Sequence, residues 1–154
     1  MDNPFMARAI QISIENVESG GGPFGSVVVR DGTLIAEAAN QVTSTNDPTA
    51  HAEVLAIRAA CAKLRSFDLR GCEIYTSCEP CPMCLSAIYW ARLSRTYFAG
   101  AAADASKVGF DDSLIYREIS LPPAQRAVPM IQMMRDEALA AFRAWQEKPD
   151  KTVY

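Results

Sequence analysis

The spacing of apolar residues along the chain predicts where its helices and strands lie. Apolar residues that recur every three to four positions predict amphipathic helices at about 5–17, 50–64 and 135–148. A further helix is expected to begin in the Cys-x-x-Cys segment at 81–84 and to run to about Ala91. Short runs rich in β-branched and aromatic residues predict strands at 24–29, 33–38, 72–76 and 95–99. Asp31-Gly32, between the first two strands, indicates a hairpin turn.

The pattern beyond Ala101 is weaker. It predicts a short helix at 102–108, a loop at 109–113 and a last strand from Ala127 to Met133, ahead of the final helix. Because strands and helices alternate around one hairpin, we expect an α/β fold, a three-layer α/β/α sandwich with a mixed five-stranded sheet. The length of 154 residues suits a single domain that spans 1–154.

Charge and cysteine content narrow the classes of function. A net charge of −3 gives no overall basic surface for nucleic acid or for an anionic membrane. No apolar run reaches the roughly 18 residues that a membrane span needs, and the first residues lack the pattern of a signal peptide. Five cysteines, two of them in a Cys-x-x-Cys, favour a reducing compartment and metal chemistry over disulfides. We therefore expect a cytoplasmic protein, and nucleic acid is a less expected partner than it would be for a basic chain.

Two segments carry candidate metal ligands. Cys81 and Cys84 lie three residues apart at the start of a predicted helix, and therefore on one face of it. The positive end of the helix dipole lowers thiol pKa values and so favours thiolates. His51, the only histidine of the sequence, begins another predicted helix, with Glu53 two residues further on. These patterns indicate a zinc site with His51, Cys81 and Cys84 as ligands.

The number of ligands indicates catalysis. Three protein ligands leave the fourth position of a tetrahedral zinc ion for water, which is typical of catalytic zinc sites. Glu53 would then take a proton from that water and deliver it to a leaving nitrogen. The alternative is a closed structural site, with Cys78 or Glu53 as the fourth ligand, in a protein that acts as an interaction module. Cys61 and Cys72 are expected to be buried as small apolar residues.

Longer motifs extend the pattern around these ligands. His51-Ala52-Glu53 together with Pro80-Cys81-Pro82-Met83-Cys84 is the signature of zinc nucleobase deaminases, and with it the chain resembles the cytidine deaminase-like superfamily. From about residue 5 to Tyr154 the chain resembles the short bacterial guanine deaminases. The motifs that carry this likeness are GPFG at 22–25, NDPTAHAE at 46–53, YTSCEPCPMC at 75–84, IYWAR at 88–92 and GFDDS at 109–113.

The resemblance implies a reaction and a set of substrate contacts. The reaction would be hydrolysis of guanine to xanthine and ammonia, in purine catabolism, with one zinc ion per chain. Phe24 would flank the base, Asn40 would hydrogen-bond the purine ring, and Ala52 would contact the substrate. Asp112 would bind the amidine side of guanine and assist proton transfer, with Glu53 as the main proton carrier.

The resemblance also implies an assembly. The chain would form a homodimer in which residues from about 135 to 154 swap between subunits, and Tyr154 would close the neighbour's pocket. Guanosine, cytosine and tRNA adenosine stay open as alternative substrates. A tRNA deaminase would need a basic groove, whereas the basic residues of the C-terminal region are offset by acidic ones.

Overall fold

The computed structural model describes residues 3–154 and divides the chain into two compact units, with the boundary between Asp112 and Ser113. The first unit contains, in chain order, α1 (Pro4–Glu18), β1 (Gly25–Arg30), β2 (Thr33–Ala39), α2 (Val42–Thr45), α3 (Ala52–Leu64), β3 (Cys72–Cys78), α4 (Pro82–Trp90), β4 (Arg95–Gly100) and α5 (Ala102–Lys107). The second unit contains α6 (Ser113–Ser120), a 3-10 helix (Pro123–Gln125) and α7 (Arg135–Glu147). Within residues 3–154, no helix has both the length and the apolar character that crossing a membrane requires.

A mixed sheet forms the centre of the first unit, and its strand order is β2-β1-β3-β4. β1 pairs antiparallel with both β2 and β3, whereas β3 and β4 are parallel. Asp31 and Gly32 join β1 to β2 with positive φ angles of 50° and 71°, as a two-residue hairpin turn requires. β4 can run parallel to β3 because α4 carries the chain back between them.

Helices cover both faces of this sheet because successive residues of a strand point to opposite faces. Val27 and Val29 of β1 pack with Ala9 and Ile12 of α1 on one face. Val28 points to the other face, where it packs with four residues of α3 and α4, namely Ala56, Ile57, Ala60 and Ile88. The second core therefore holds α3 and α4 on the same side of the sheet.

The start of α1 shows why its sequence forms a helix at this point. The side chain of Asn3 accepts hydrogen bonds from the N–H groups of Phe5 and Met6, at 2.9 and 3.0 Å, which satisfies two donors of the first turn. Pro4 follows at a position where a missing N–H costs nothing. The apolar face of the helix then packs on the sheet, with Ala9 fully buried.

The α/β class and the mixed sheet are confirmed, but the predicted five-stranded sheet is wrong. The sheet of the described chain has four strands, and residues 127–133, the predicted last strand, form none. Pro129 lies inside this segment and has no N–H to donate to a neighbouring strand. Val128 and Ile131 are about four-fifths exposed, at 81% and 80%, so the apolar run lines no core of this chain. The loop predicted at 109–113 ends earlier than expected, because α6 begins at Ser113.

Candidate metal centre and active site

The first two candidate ligands lie where β3 leads into α4. Cys81 is the N-cap of α4, with extended backbone angles (φ −64°, ψ 167°), and Pro82 occupies the first helical position. The Cys81 carbonyl accepts the N–H of Leu85 at 2.8 Å, which closes the first turn. Cys84 lies within this turn and is fully buried. Both sulfurs are therefore held at the N-terminus of one helix, as the sequence predicted.

The third candidate ligand is presented by the N-terminus of α3. His51 is the N-cap residue of this helix, also with an extended backbone (φ −71°, ψ 151°). The turn before it is fixed by Asp47, whose Oδ1 accepts from both the N–H and the hydroxyl of Thr49, at 2.8 and 2.7 Å. The N–H of Gln41 donates to the carbonyl of Ala50 at 2.9 Å, which ties the turn to the segment after β2.

The three candidate ligands converge on one point. His51 Nδ1 lies 3.6 Å from Cys81 Sγ and 3.4 Å from Cys84 Sγ. At ordinary zinc distances, a nitrogen and a sulfur ligand of a tetrahedral ion lie about 3.6 Å apart. The ligand atoms of all three residues lie within 4.8 Å of one another. This spacing and this donor set fit a zinc ion.

The same geometry bears on the alternative of a closed structural site. Among the described residues, the only group of possible ligands at metal-binding distance has three members, His51, Cys81 and Cys84. Cys78 Sγ is instead directed to the carbonyl of Ala101, at 3.9 Å. Neither Cys78 nor Glu53 belongs to the group, so the arrangement is that of a site with an open fourth position.

The three ligand groups shift one another's pKa values in different directions. Hydrogen bonding from Cys84, and then from His51, lowers the pKa of the Cys81 thiol to about 4 against the effect of burial. Its hydrogen bond to Cys81, followed by burial, raises the pKa of the Cys84 thiol. The hydrogen bond to Cys81 raises the pKa of His51. Hydrogen bonds from Cys84 and His51 thus favour the thiolate form of Cys81.

Glu53 lies beside this cluster in the first turn of α3. Its side chain is only 6% exposed. Burial raises the pKa of its carboxyl, while hydrogen bonds from its own backbone N–H and from Cys84 lower it. A buried carboxyl in contact with a metal ligand has the position expected of a group that exchanges protons with a metal-activated water. Ala52, immediately before it, is fully buried at the same helix end.

Phe24 and Asn40 lie next to each other at the ends of β1 and β2. The N–H of Asn40 donates to the carbonyl of Phe24 at 3.0 Å. Asn40 is 8% exposed, and its Oδ1 accepts the N–H of Val42 at 3.2 Å. This contact orients the carboxamide, and no acceptor among residues 3–154 bonds to its Nδ2. The ring of Phe24 packs edge-on against Phe110, with the centroids 4.9 Å apart.

Asp112 ends the loop that follows α5. Burial raises its pKa, and the negative charges of Cys81, Asp111 and Glu79 raise it further. Its carboxyl therefore lies within electrostatic reach of the first cysteine of the cluster. Glu79 also anchors the start of α5, because its Oε2 accepts the N–H of Ala102 at 3.0 Å.

Comparison with known proteins identifies this combination of features. Residues 1–100 match the family model described as the cytidine and deoxycytidylate deaminase zinc-binding region. Guanine deaminase of Bacillus subtilis (strain 168) is 52% identical over 151 residues, which cover 97% of this chain and 97% of that protein. The chain belongs to the guanine deaminase family. It is therefore a zinc-dependent deaminase, a hydrolase.

Structural comparison agrees with this assignment. The crystal structure of guanine deaminase from Bacillus subtilis matches with a TM-score of 0.96 at 51% identity, covering 100% of this chain and 99% of that one. A tRNA-specific adenosine deaminase from Aquifex aeolicus (strain VF5) is 40% identical over 95 residues, which cover 62% of this chain and 63% of that protein. The tRNA deaminases are thus more distant relatives of this guanine deaminase family member.

Three residues for which no role was predicted contact the segments that carry the site, namely Glu79, Phe110 and Asn16. Glu79 and Phe110 lie inside the motifs quoted above, but their contacts join segments that are far apart in the chain. Asn16 bonds to the segments of Phe24 and Asn40 from α1. A polar amide just before a run of glycines was a local signal for Asn16.

Tyr154 belongs to the second unit, where its ring lies 6.3 Å from that of Trp145.

Proposed function

We propose that this protein deaminates guanine, with water and zinc, to give xanthine and ammonia. The observation that carries the proposal is the convergence of His51, Cys81 and Cys84 beside buried Glu53, in a chain 52% identical to a guanine deaminase over nearly its whole length. In this proposal the three ligands hold one zinc ion per chain. When bound, that ion lowers the pKa of a water molecule to near 7 and makes it a nucleophile at neutral pH.

Glu53 is the proton carrier of the proposed reaction. Its carboxylate takes a proton from the attacking water, whose oxygen forms a bond to C2 of guanine. Glu53 delivers this first proton to ring N3, which lets C2 accept the oxygen. It then takes the second proton of the water, from the hydroxyl now on C2, and delivers it to the exocyclic nitrogen while the C2=O bond forms. The C2–N bond then breaks and ammonia leaves, so that one water is consumed for each xanthine formed. The burial of Glu53 supports this role because few waters compete for its proton.

The remaining site residues hold the base in this proposal. The ring of Phe24 stacks against the purine, and the Nδ2 of Asn40 donates a hydrogen bond to a purine acceptor. Ala52 supplies a contact at the N-terminus of α3. Asp112 accepts hydrogen bonds from the amidine N–H groups of guanine and assists proton transfer. The hydrogen bond from Val42 to Asn40 Oδ1 supports this orientation of the amide.

We further propose a cytoplasmic homodimer. Five free thiols in the described chain support a reducing compartment. In this dimer the single deaminase domain, 1–154, exchanges its C-terminal helix and tail, about 135–154, with its partner, and Tyr154 closes the partner's pocket. Exposed aromatic residues on α7, Phe142 and Trp145, support a surface that another chain covers.

A substrate screen tests the proposed function. The zinc-loaded protein is incubated separately with guanine, guanosine, adenine, cytosine and cytidine, and ammonia release and the product are measured. We expect xanthine and ammonia in equal amounts from guanine, loss of turnover after chelation, and recovery on adding zinc. If no xanthine forms from guanine, the proposed function is wrong. Formation of inosine in tRNA, with strongly salt-dependent RNA binding, would favour a tRNA adenosine deaminase instead.

A further inference from the structure

The carboxamide of Asn16, near the end of α1, joins the two segments that carry Phe24 and Asn40. Its Nδ2 donates to the carbonyl of Gly22 at 2.7 Å and to the carbonyl of Asn40 at 2.9 Å. A carboxamide nitrogen carries two hydrogens. Both donors of Asn16 are therefore used, one on each segment.

The two carbonyls belong to segments that meet where the pairing of β1 with β2 ends, at Gly25 and Ala39. Gly22 lies two residues before Phe24 in the turn between α1 and β1. The two segments also share a direct backbone bond, from the N–H of Asn40 to the carbonyl of Phe24. Asn16 is not one of the candidate site residues. Its side chain nevertheless bonds to the turn before Phe24 and to the backbone of Asn40.

The turn is shaped around this side chain. A Cβ atom at Gly21 would lie 2.4 Å from Asn16 Nδ2, so the backbone approaches the amide more closely than any other residue type would allow. At Gly22 a Cβ atom would lie 3.4 Å from Asn40 Oδ1. Gly21 and Gly22 therefore pack against the side-chain amides of Asn16 and Asn40. Their lack of a Cβ atom leaves room for these amides.

α1 does not need Asn16 in order to stay on the sheet. Ala9 and Ile12 are buried against β1 on the apolar face of the helix, whereas Asn16 is half-buried beyond them. Loss of the hydrogen bonds of Asn16 should therefore loosen the turn without unfolding the protein.

We propose that Asn16 is a positioning residue that fixes Phe24 relative to Asn40, and so fixes how the purine base is held. The inference rests on the proposed function for the roles of Phe24 and Asn40. Without the two bonds, the backbone bond from Asn40 to Phe24 is left to hold the turn against the end of β2. Both segments are then less ordered, and the substrate must order them when it binds. We therefore expect KM to rise when the two bonds are lost. The metal ligands and Glu53 lie at the N-termini of α3 and α4 and should keep their positions.

The test compares two changes from amide to acid on the same helix. Asn16→Asp keeps the shape of the side chain but removes both donors. The matched control is Gln11→Glu, at an exposed amide of α1 that donates to Glu15 at 3.1 Å. Asn16→Ala is the second variant, because it removes the donors without adding a charge. For each protein we measure kcat, KM for guanine, bound zinc, and hydrogen exchange of backbone amides.

For both Asn16 variants we expect KM to rise about tenfold, with kcat within about twofold of wild type and zinc unchanged. Exchange at the amides of Phe24 and Asn40 should accelerate, while β3 stays protected and Gln11→Glu behaves as wild type. Unchanged exchange or KM in both variants, or a parallel loss of kcat and zinc, overturns the proposal. A wild-type protein that does not turn over guanine contradicts the proposed function, and the exchange data still decide whether Asn16 holds the two segments.

Discussion

At the scale of single residues, the proposed proton carrier, Glu53, is a different group from the three metal ligands beside it. His51, Cys81 and Cys84 have their ligand atoms within 4.8 Å of one another, whereas Glu53 stays outside that group. Its carboxyl is nevertheless buried next to Cys84, in the first turn of the helix that His51 begins. An acid in this position can act on a metal-activated water without displacing it. The two functions can therefore be separated by mutation.

Glu53→Gln should abolish turnover while the protein keeps its metal. The amide has the same size but cannot accept and return a proton, so we expect kcat for guanine to fall about a thousandfold. Zinc content should stay near one ion per chain, because Glu53 is not one of the grouped ligands. The control is Glu18→Gln, at an exposed acid at the end of α1. Activity of Glu53→Gln equal to that of the control would show that another group carries the proton.

At the scale of secondary structure, the sequence predicts well where the hydrophobic pattern decides the outcome. α1, α3, α4 and the four strands lie within about two residues of their predicted bounds, and all of them except β4 bury apolar residues in the two cores. The segment 127–133 has strand-like composition, but Pro129 interrupts it and no core residue lies within it. Cys81, Cys84 and His51 could be grouped from spacing alone, since all three lie at helix starts.

Contacts between distant segments could not be predicted in the same way. The ring contact of Phe24 with Phe110 and the bond from Ala102 to Glu79 join residues that only the folded chain brings together. Neither contact changes the local pattern of apolar and polar positions. Both bear on Asp112, because they fix α5 at its start and the loop after it at Phe110. This loop is thus held from two sides.

Phe110→Ala should weaken substrate binding by loosening the loop that carries Asp112. Edge-on aromatic pairs contribute about 0.5–1.5 kcal/mol, so we expect KM for guanine to rise about three- to tenfold, with a small effect on the melting temperature. The matched control is Phe67→Ala, because Phe67 is 50% exposed and Phe110 is 47% exposed. Steady-state kinetics and thermal unfolding of both variants decide the matter. Equal KM values for the two variants would mean that Phe110 does not position Asp112.

At the scale of the whole molecule, the second unit has no large apolar core of its own. No residue of 113–154 is buried, and its exposed side chains include Ile119, Met130, Ile131 and Phe142. Contiguous apolar surface on a protein usually marks an interface. The proposed homodimer, with exchanged C-terminal segments, provides a partner for this surface. Exchange also means that each active site would combine residues of two chains, which a mixing experiment can detect.

Two variants that are defective alone should restore activity together if the C-terminal segment is exchanged. Glu53→Gln lacks the proton carrier but keeps Tyr154, whereas Tyr154→Ala keeps Glu53 and should raise KM for guanine about tenfold, through loss of an aromatic contact. The two are unfolded, mixed in equal amounts and refolded with zinc. In an exchanged dimer, half of the dimers are mixed, and one site of each contains both Glu53 and the partner's tyrosine. At low guanine concentration, about a quarter of wild-type activity should therefore return.

The control mixture combines Tyr154→Ala with the double variant Glu53→Gln/Tyr154→Ala, in which no site can contain both groups. We expect the activity of this control mixture to equal the mean of its two components, with no fraction that has the wild-type KM. Sedimentation confirms in each case that dimers are compared with dimers. If the first mixture gives only the mean of its two components, each tyrosine acts on its own subunit or on none, and the exchanged arrangement is wrong.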